Sequence, residues 1–354
     1  MMKQVKQAAL ITMIILTMII AGCSSSTPPK AALEAATAKT VAAESYKVSM
    51  TMQLDELELP EAGGVDASLF SPAQVAGIVK DATIKADVSY SSEPMRADVN
   101  LEVILPGMMD MKLAVPMILT EKVMYIQVPS LPMFGIPESI VGKYIQFDLE
   151  ELAKQEGVDS LNLNVAEQQK MAQDLSAALL KHFDEKTYFS NVKAEEAGLP
   201  EGLKVDQVVK FAIDGENYPQ TVETIVNKAL PEILDILMNN EAYLETAGIE
   251  KADLEEVKTN LDTNKTELLN FLQNDLKFNV LEITGGIKDK YLVYQGGKIS
   301  VQMKDSESGL DGKLGGSFTA QYSELNKKIE FPALPTDALT PDQLAEQFGG
   351  MAGL

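Results

Sequence analysis

The chain has one cysteine, one histidine, no tryptophan and a single arginine among its 30 basic residues. Each scarcity removes a class of chemistry. With Cys23 as the only thiol, neither an internal disulfide nor a zinc-thiolate cluster can form. A lone histidine, His182, cannot anchor a multi-histidine metal site. A lone arginine, Arg96, leaves almost no bidentate clamp for carboxylate or phosphate. Positive charge is short overall: 52 acidic residues give a net charge of −22. Such a chain is expected to have no nucleic-acid partner, because that binding rests on neutralising phosphates. Stability must come from hydrophobic cores, and a chain of this size can bury one or two.

What is present begins at the N-terminus. Lys3 and Lys6 precede a run from Ala8 to Ala21 that is apolar apart from two threonines. That length suits a secretory signal and is short for a spanning helix. The stretch Ile20-Ala21-Gly22-Cys23 closes it, and Ser24 to Pro29 has nothing to bury, as a tether would. These residues resemble the bacterial lipobox. The resemblance implies cleavage before Cys23, a diacylglyceryl group with palmitate-like chains on its thiol, and anchorage on the extracytoplasmic face of the cell membrane, most simply in a Gram-positive bacterium. Removing residues 1–22 removes Lys3 and Lys6 and no acid, which leaves a net charge of −24. Anionic headgroups would repel that surface, so the acyl anchor must supply the membrane affinity.

Beyond the tether the hydrophobic period changes several times. Residues 31–44 read as an alanine-rich helix. Tyr46, Val48, Met50, Met52 and Leu54 then alternate with polar residues, the pattern of a strand with one buried face. The alternation recurs over 84–90, 98–103, 111–115, 123–126 and 144–147, with turn residues between, and predicts an antiparallel meander. Residues 164–184 read as a helix, 205–214 as a strand, and 218–240 as the clearest amphipathic helix, which Pro231 should kink or divide. Residues 251–276 read as a charged helix. Strands return at the C-terminus: Gly296-Gly297 is expected to form a two-residue hairpin turn between YLVY and ISVQM, and KKIEFPAL to form a last strand. The predicted class is α+β, a curved antiparallel sheet with helices packed on its apolar face.

The tether, the helix ending near Ser45-Tyr46-Lys47-Val48, the meander with internal helices, and Tyr322 to Asn326 followed by Ile329-Glu330-Phe331-Pro332 resemble the LolA-like lipoproteins, including the LppX/LprG-type group and Gram-positive surface lipoproteins. The resemblance covers roughly residues 33–335. It implies an incomplete β-barrel clasped by helices around an apolar cavity that holds a lipid or acyl chain. The helical region 218–276 departs from the smaller carriers. On this reading the parts are a signal peptide (1–22), a tether (23–32), one domain (33–335, divisible into halves 33–190 and 191–335) and a tail (336–354).

Nine methionines lie between Met50 and Met133, and a flexible, polarizable Met-rich face suits varied apolar ligands as well as plain core packing. The residues expected to line a cavity are Met109, Met111, Leu113, Val115, Met124 and Ile126, with a stripe including Val222, Val226, Leu230 and Leu234 as its cover. Catalytic and cofactor signatures are weak. His182 has no G-x-S-x-G partner, Ser190-Asn191-Val192-Lys193 lacks the accompanying K-T-G, and Gly296-Gly297-Lys298 lacks the P-loop spacing. Asp262, Asn264 and Glu267 fail the calcium-loop pattern, and Asp253, Glu255 and Glu256 read as a solvated face. The expectation is a non-enzymatic lipoprotein without cofactor that binds a hydrophobic ligand. The alternative is a cell-envelope scaffold with a filled core.

Overall fold

The computed structural model describes residues 27–58, 76, 77, 79–106, 111–130, 136–155, 165–305 and 310–349. The lipobox, Cys23 and Met109 lie outside them. Among the described residues, eleven strands form one antiparallel sheet. They are β1 (Ser45–Glu58), β2 (Thr83–Ser92), β3 (Met95–Leu105), β4 (Met111–Thr120), β5 (Val123–Gln127), β6 (Tyr144–Asp148), β7 (Phe189–Asn191), β8 (Gln207–Ile213), β9 (Leu276–Lys288), β10 (Tyr291–Asp305) and β11 (Leu310–Ser323). Their spatial order is β6-β5-β4-β3-β2-β1-β11-β10-β9-β8-β7. Two meanders are therefore sewn into one sheet by the β1–β11 ladder, which pairs Lys47 with Ser323 at one end and Glu58 with Lys313 at the other. The two edge strands, β6 and β7, are consecutive in the chain, so the segment between them runs from one open edge of the sheet to the other.

One helix precedes β1, and the others lie in that segment or after it. The helices are α1 (Pro29–Val41), α2 (Leu149–Gln155), α3 (Val165–Leu180), α4 (Glu185–Tyr188), α5 (Tyr218–Thr224), α6 (Leu230–Met238), α7 (Glu241–Ala247), α8 (Lys251–Asn270) and α9 (Pro341–Gly349). The 218–240 stripe is divided as Pro231 required. Pro231 sits in the first turn of α6, and a π-helical turn, Ile225–Ala229, joins it to α5. Proline donates no backbone hydrogen bond, so the ladder changes pitch just ahead of it.

One face of the sheet carries the helices. α1 lies across β7 to β10. Its small residues Ala32 and Ala36 let it approach closely, and Leu33 sits where a Cβ on Gly285 would be, 2.7 Å from that position. Thr40 pins its C-terminal end, accepting a hydrogen bond from the Leu292 N–H at 2.8 Å. The core beneath joins Phe183, Tyr188, Phe189 and Phe211 in edge-to-face, tilted and stacked ring contacts with Val209, Val222 and Val226. The Tyr218 hydroxyl donates to the carbonyls of Leu272 and Leu276, which ties α5 to the entrance of β9.

Two sequence expectations are corrected. Gly296 and Gly297 form no turn; both lie inside β10. The hairpin turns at Asp289 and Lys290, which take φ of 51° and 64°. The glycines serve close approach instead: the Phe318 ring lies 2.0 Å from where a Gly297 Cβ would stand, and the Tyr294 hydroxyl 2.7 Å from that of Gly296. Gly297→Ala should therefore displace the Phe318 ring and lower stability by about 1–3 kcal/mol in urea unfolding, and Phe318→Leu should relieve part of that loss. The second correction is KKIEFPAL, which is not a strand. Phe331 lies under the Arg96 guanidinium, 4.7 Å from ring centroid to Cζ, and Leu339 bridges Ile145 at the outer edge of β6. Pro332, Ala333 and Pro335 border a groove with Asp98, Pro116 and Ile118 on the face opposite the helices.

A clamp joins α3 to α6. Glu232 accepts from Lys181 on one oxygen and sits 2.7 Å from His182 Nε2 on the other. The Lys181 hydrogen bond first, then that of His182, holds the Glu232 carboxyl below its ordinary value of 4.5. A depressed carboxylate contributes stability above its unfolded-state pKa and loses it as pH falls through the folded-state value. Melting temperature should therefore fall on acidification below the normal carboxylate range, and Glu232→Gln should flatten that part of the profile.

Candidate functional site: the apolar face of β1 to β6

Strand register sorts every side chain of the first meander to one face or the other. Tyr46, Tyr90, Ala97, Leu119, Met124 and Phe147 form one cross-strand row. Val48, Val88, Val99, Met117, Ile126 and Ile145 form the next. Met50, Ala86, Leu101 and Val115 follow, then Met52, Ile84, Val103 and Leu113. No row contains a charge. The last continues from Met52 through Phe318, Gly297 and Ile283 to Phe211, a core residue under the helices. The face is therefore the same one that carries the helix layer.

The two halves of this face differ in cover. Under the helices Val209 is 0 % exposed and Val226 1 %. On the β1–β2 side exposure rises along the strands, from 5 % at Val48 and Tyr90 to 40 % at Ile84 and 57 % at Met52. Met50 and Leu314, on the same face, are also exposed. A contiguous apolar surface left open in this way marks a contact site more than stray surface hydrophobicity does.

The covered end is built of tyrosines. The rings of Tyr46 and Tyr90 lie 5.1 Å apart and those of Tyr46 and Tyr322 5.7 Å. Gln169 of α3 hydrogen-bonds the Tyr46 hydroxyl. Burial, then the neighbouring phenols Tyr322 and Tyr90, push the Tyr46 hydroxyl up to about 12. Burial likewise raises Tyr90 and Tyr322.

Of the residues expected to line a cavity, Met111, Leu113, Val115, Met124 and Ile126 share this face. Val222, Val226 and Leu234 are sealed in the core over β7 to β9, and Leu230 packs against it. The structure therefore does not bring the two sets together: five strands of the sheet separate β4 from β9. The tyrosine trio and Phe318 were not singled out as site residues. The alternation placed Tyr46 and Tyr90 on buried faces, but their convergence with Tyr322 depends on the long-range β1–β11 pairing. A separate groove of about 610 Å³ runs between α1, α3 and α6, bordered by Glu34, Thr37, Asp174, Leu180, Lys181 and Ile236.

The weak catalytic candidates scatter. Ser190 and Lys193 are exposed, on and beyond β7. Asp262, Asn264 and Glu267 lie along α8, which bends at Asn264, and not in a loop. Among the described residues no group of His, Cys, Asp and Glu could hold a metal ion, and no helix is long and apolar enough to cross a membrane.

No family model and no curated protein matches this chain. Among solved structures, one of lipovitellin, concerned with lipid–protein interactions in that protein, is similar over 82 % of this chain at 8 % identity and a TM-score of 0.23. This chain spans about a quarter of that structure, 26 % of its length. At that TM-score the likeness does not extend to a shared fold.

Proposed function

We propose that the chain is a LolA-like lipoprotein, anchored through Cys23 to the extracytoplasmic face of a bacterial cell membrane, that binds an acyl-chain ligand on the uncovered apolar face of β1 to β6 without catalysing a reaction. The observation that carries this reading is the four-row apolar face, free of charge and rising to 57 % exposure at Met52. Burying each methylene of a ligand there contributes about 0.8 kcal/mol. Ten methylenes would give roughly 8 kcal/mol before the cost of ordering the chain, enough for a stable complex. The Met-rich lining adapts to chains of differing shape. The lipobox resemblance, the tether and the strongly acidic charge agree with a body held near, but not adhering to, an anionic membrane surface.

The scaffold alternative has one observation in its favour, the filled core over β7 to β9, where Val226 and Ala229 are essentially inaccessible. It would place a protein partner's apolar segment on the face assigned here to lipid. A titration with N-phenylnaphthylamine, an uncharged fluorescent probe, separates the two. On the proposed function the probe brightens in proportion to protein and palmitoyl lipids displace it. A chain that neither brightens the probe nor takes up lipid would leave the scaffold reading standing.

A further inference from the structure

The groove between α1, α3 and α6 shares no lining residue with the four apolar rows of the sheet. At about 610 Å³ it has the size of a small-ligand site. Its surface is largely apolar, with Ala177, Leu180 and Ile236 along it, and its charged members are Glu34, Asp174, Lys181 and Glu232. Glu232 is already engaged by Lys181 and His182. Glu34 and Asp174 have no ion-pair partner among the described residues. Asp174 is held in place by Tyr243, 2 % exposed, whose hydroxyl donates to its Oδ2 at 2.5 Å. The other cations of these helices are directed elsewhere or stand outside the groove. Lys30 donates to the carbonyls of Lys181 and Phe183, and Lys39 to that of Asp289. Lys170, one turn before Asp174, does not line it.

We propose that this groove is a second binding site, for a small organic cation: an aliphatic amine whose ammonium meets Glu34 and Asp174 and whose hydrocarbon body lies along Ala177, Leu180 and Ile236. The site is independent of the acyl-chain reading above. Three carboxylates against one ammonium leave its lining with an excess of two negative charges. An incoming ammonium offsets that excess, and the field of a chain of net charge −22 favours its approach. A half-exposed carboxylate contributes little to an ion pair by itself. Here the Tyr243 hydroxyl fixes one carboxylate beforehand, and the apolar body of the ligand adds burial that an inorganic cation lacks. The acidic residues do not converge into a metal site among the described residues, so the cation that suits the groove is an organic one. A carboxylate or phosphate head would meet like charge at Glu34 and Asp174.

The test is calorimetric titration of the purified protein with octylamine, 1-octanol and octanoate, which share one chain length. Octylamine should bind about tenfold or more tightly than octanol, octanoate most weakly, and the advantage of octylamine should shrink as salt rises. Glu34→Gln with Asp174→Asn keeps the side-chain shapes and leaves an amide oxygen to accept from Tyr243. This pair should bring octylamine down to the level of octanol. Ala177→Phe, at an exposed position, fills the groove without touching a charge and should remove the same advantage. Octylamine binding no tighter than octanol, or an advantage that survives both the amide pair and Ala177→Phe, overturns the site and leaves the acyl-chain reading standing. So does a protein that takes up a lysine-rich amphipathic peptide but no octylamine.

Discussion

Met52→Lys, or Ile84→Lys, is expected to abolish ligand uptake while leaving the fold in place. Both side chains are well exposed, at 57 % and 40 %, and they face each other across β1 and β2. A lysine at either position keeps its ammonium in water in the free protein, so the change in stability should stay within about 0.5 kcal/mol. Once a ligand covers the face, the same ammonium must be desolvated without a partner, which costs several kcal/mol and lowers affinity by about a hundredfold or more. Val226→Asp supplies the contrast. Val226 is 1 % exposed within the core of α5, α6 and the sheet. An unpaired carboxylate there should cost about 4 kcal/mol or more and remove the folded state itself. Circular dichroism and probe binding, measured together, distinguish the two outcomes. A Met52→Lys protein that still binds lipid at the parental level would remove β1 and β2 from the site.

Cys23→Ala should move the protein almost completely from the membrane to the soluble fraction. Two acyl chains give stable anchorage where one is marginal, because each buried methylene contributes about 0.8 kcal/mol. Among the described residues no helix is long and apolar enough to cross a membrane, and with residues 1–22 removed the net charge of −24 would disfavour anionic headgroups. Fractionation of cells expressing the two forms, with the intact mass of the membrane-bound one, reads the effect. A wild-type mass without a diacylglyceryl increment, or an Ala variant that stays on the membrane, would refute the anchor.

Much of the sheet could be read from alternation alone. In β1 to β6 apolar and polar residues alternate because one face is apolar and continues the face under the helix layer while the other is polar, and the register then follows from short turns. What alternation cannot give is a pairing between segments far apart in the chain. The β1–β11 ladder joins Met52 to Phe318, and without it neither the single sheet nor the tyrosine trio can be assembled. The stripe from Val222 to Leu234 was legible as a buried helix face, but periodicity says only that a face is buried and not against what. Strand order puts it over β7 to β9. Gly296-Gly297 misled because glycine serves close packing as well as turns, and the actual turn uses Asp289 and Lys290 in a conformation glycine more often supplies. Ile329 and Phe331 alternate like a strand yet lie in irregular chain on the outer face.

The central claim, that the uncovered face of β1 to β6 holds an acyl-chain ligand, is tested most directly by native mass spectrometry of the purified protein followed by organic extraction. The account expects a discrete added mass that extracts as lipid and is missing from Met52→Lys. A clean unliganded mass that persists after incubation with monopalmitoylglycerol and phospholipids would contradict it.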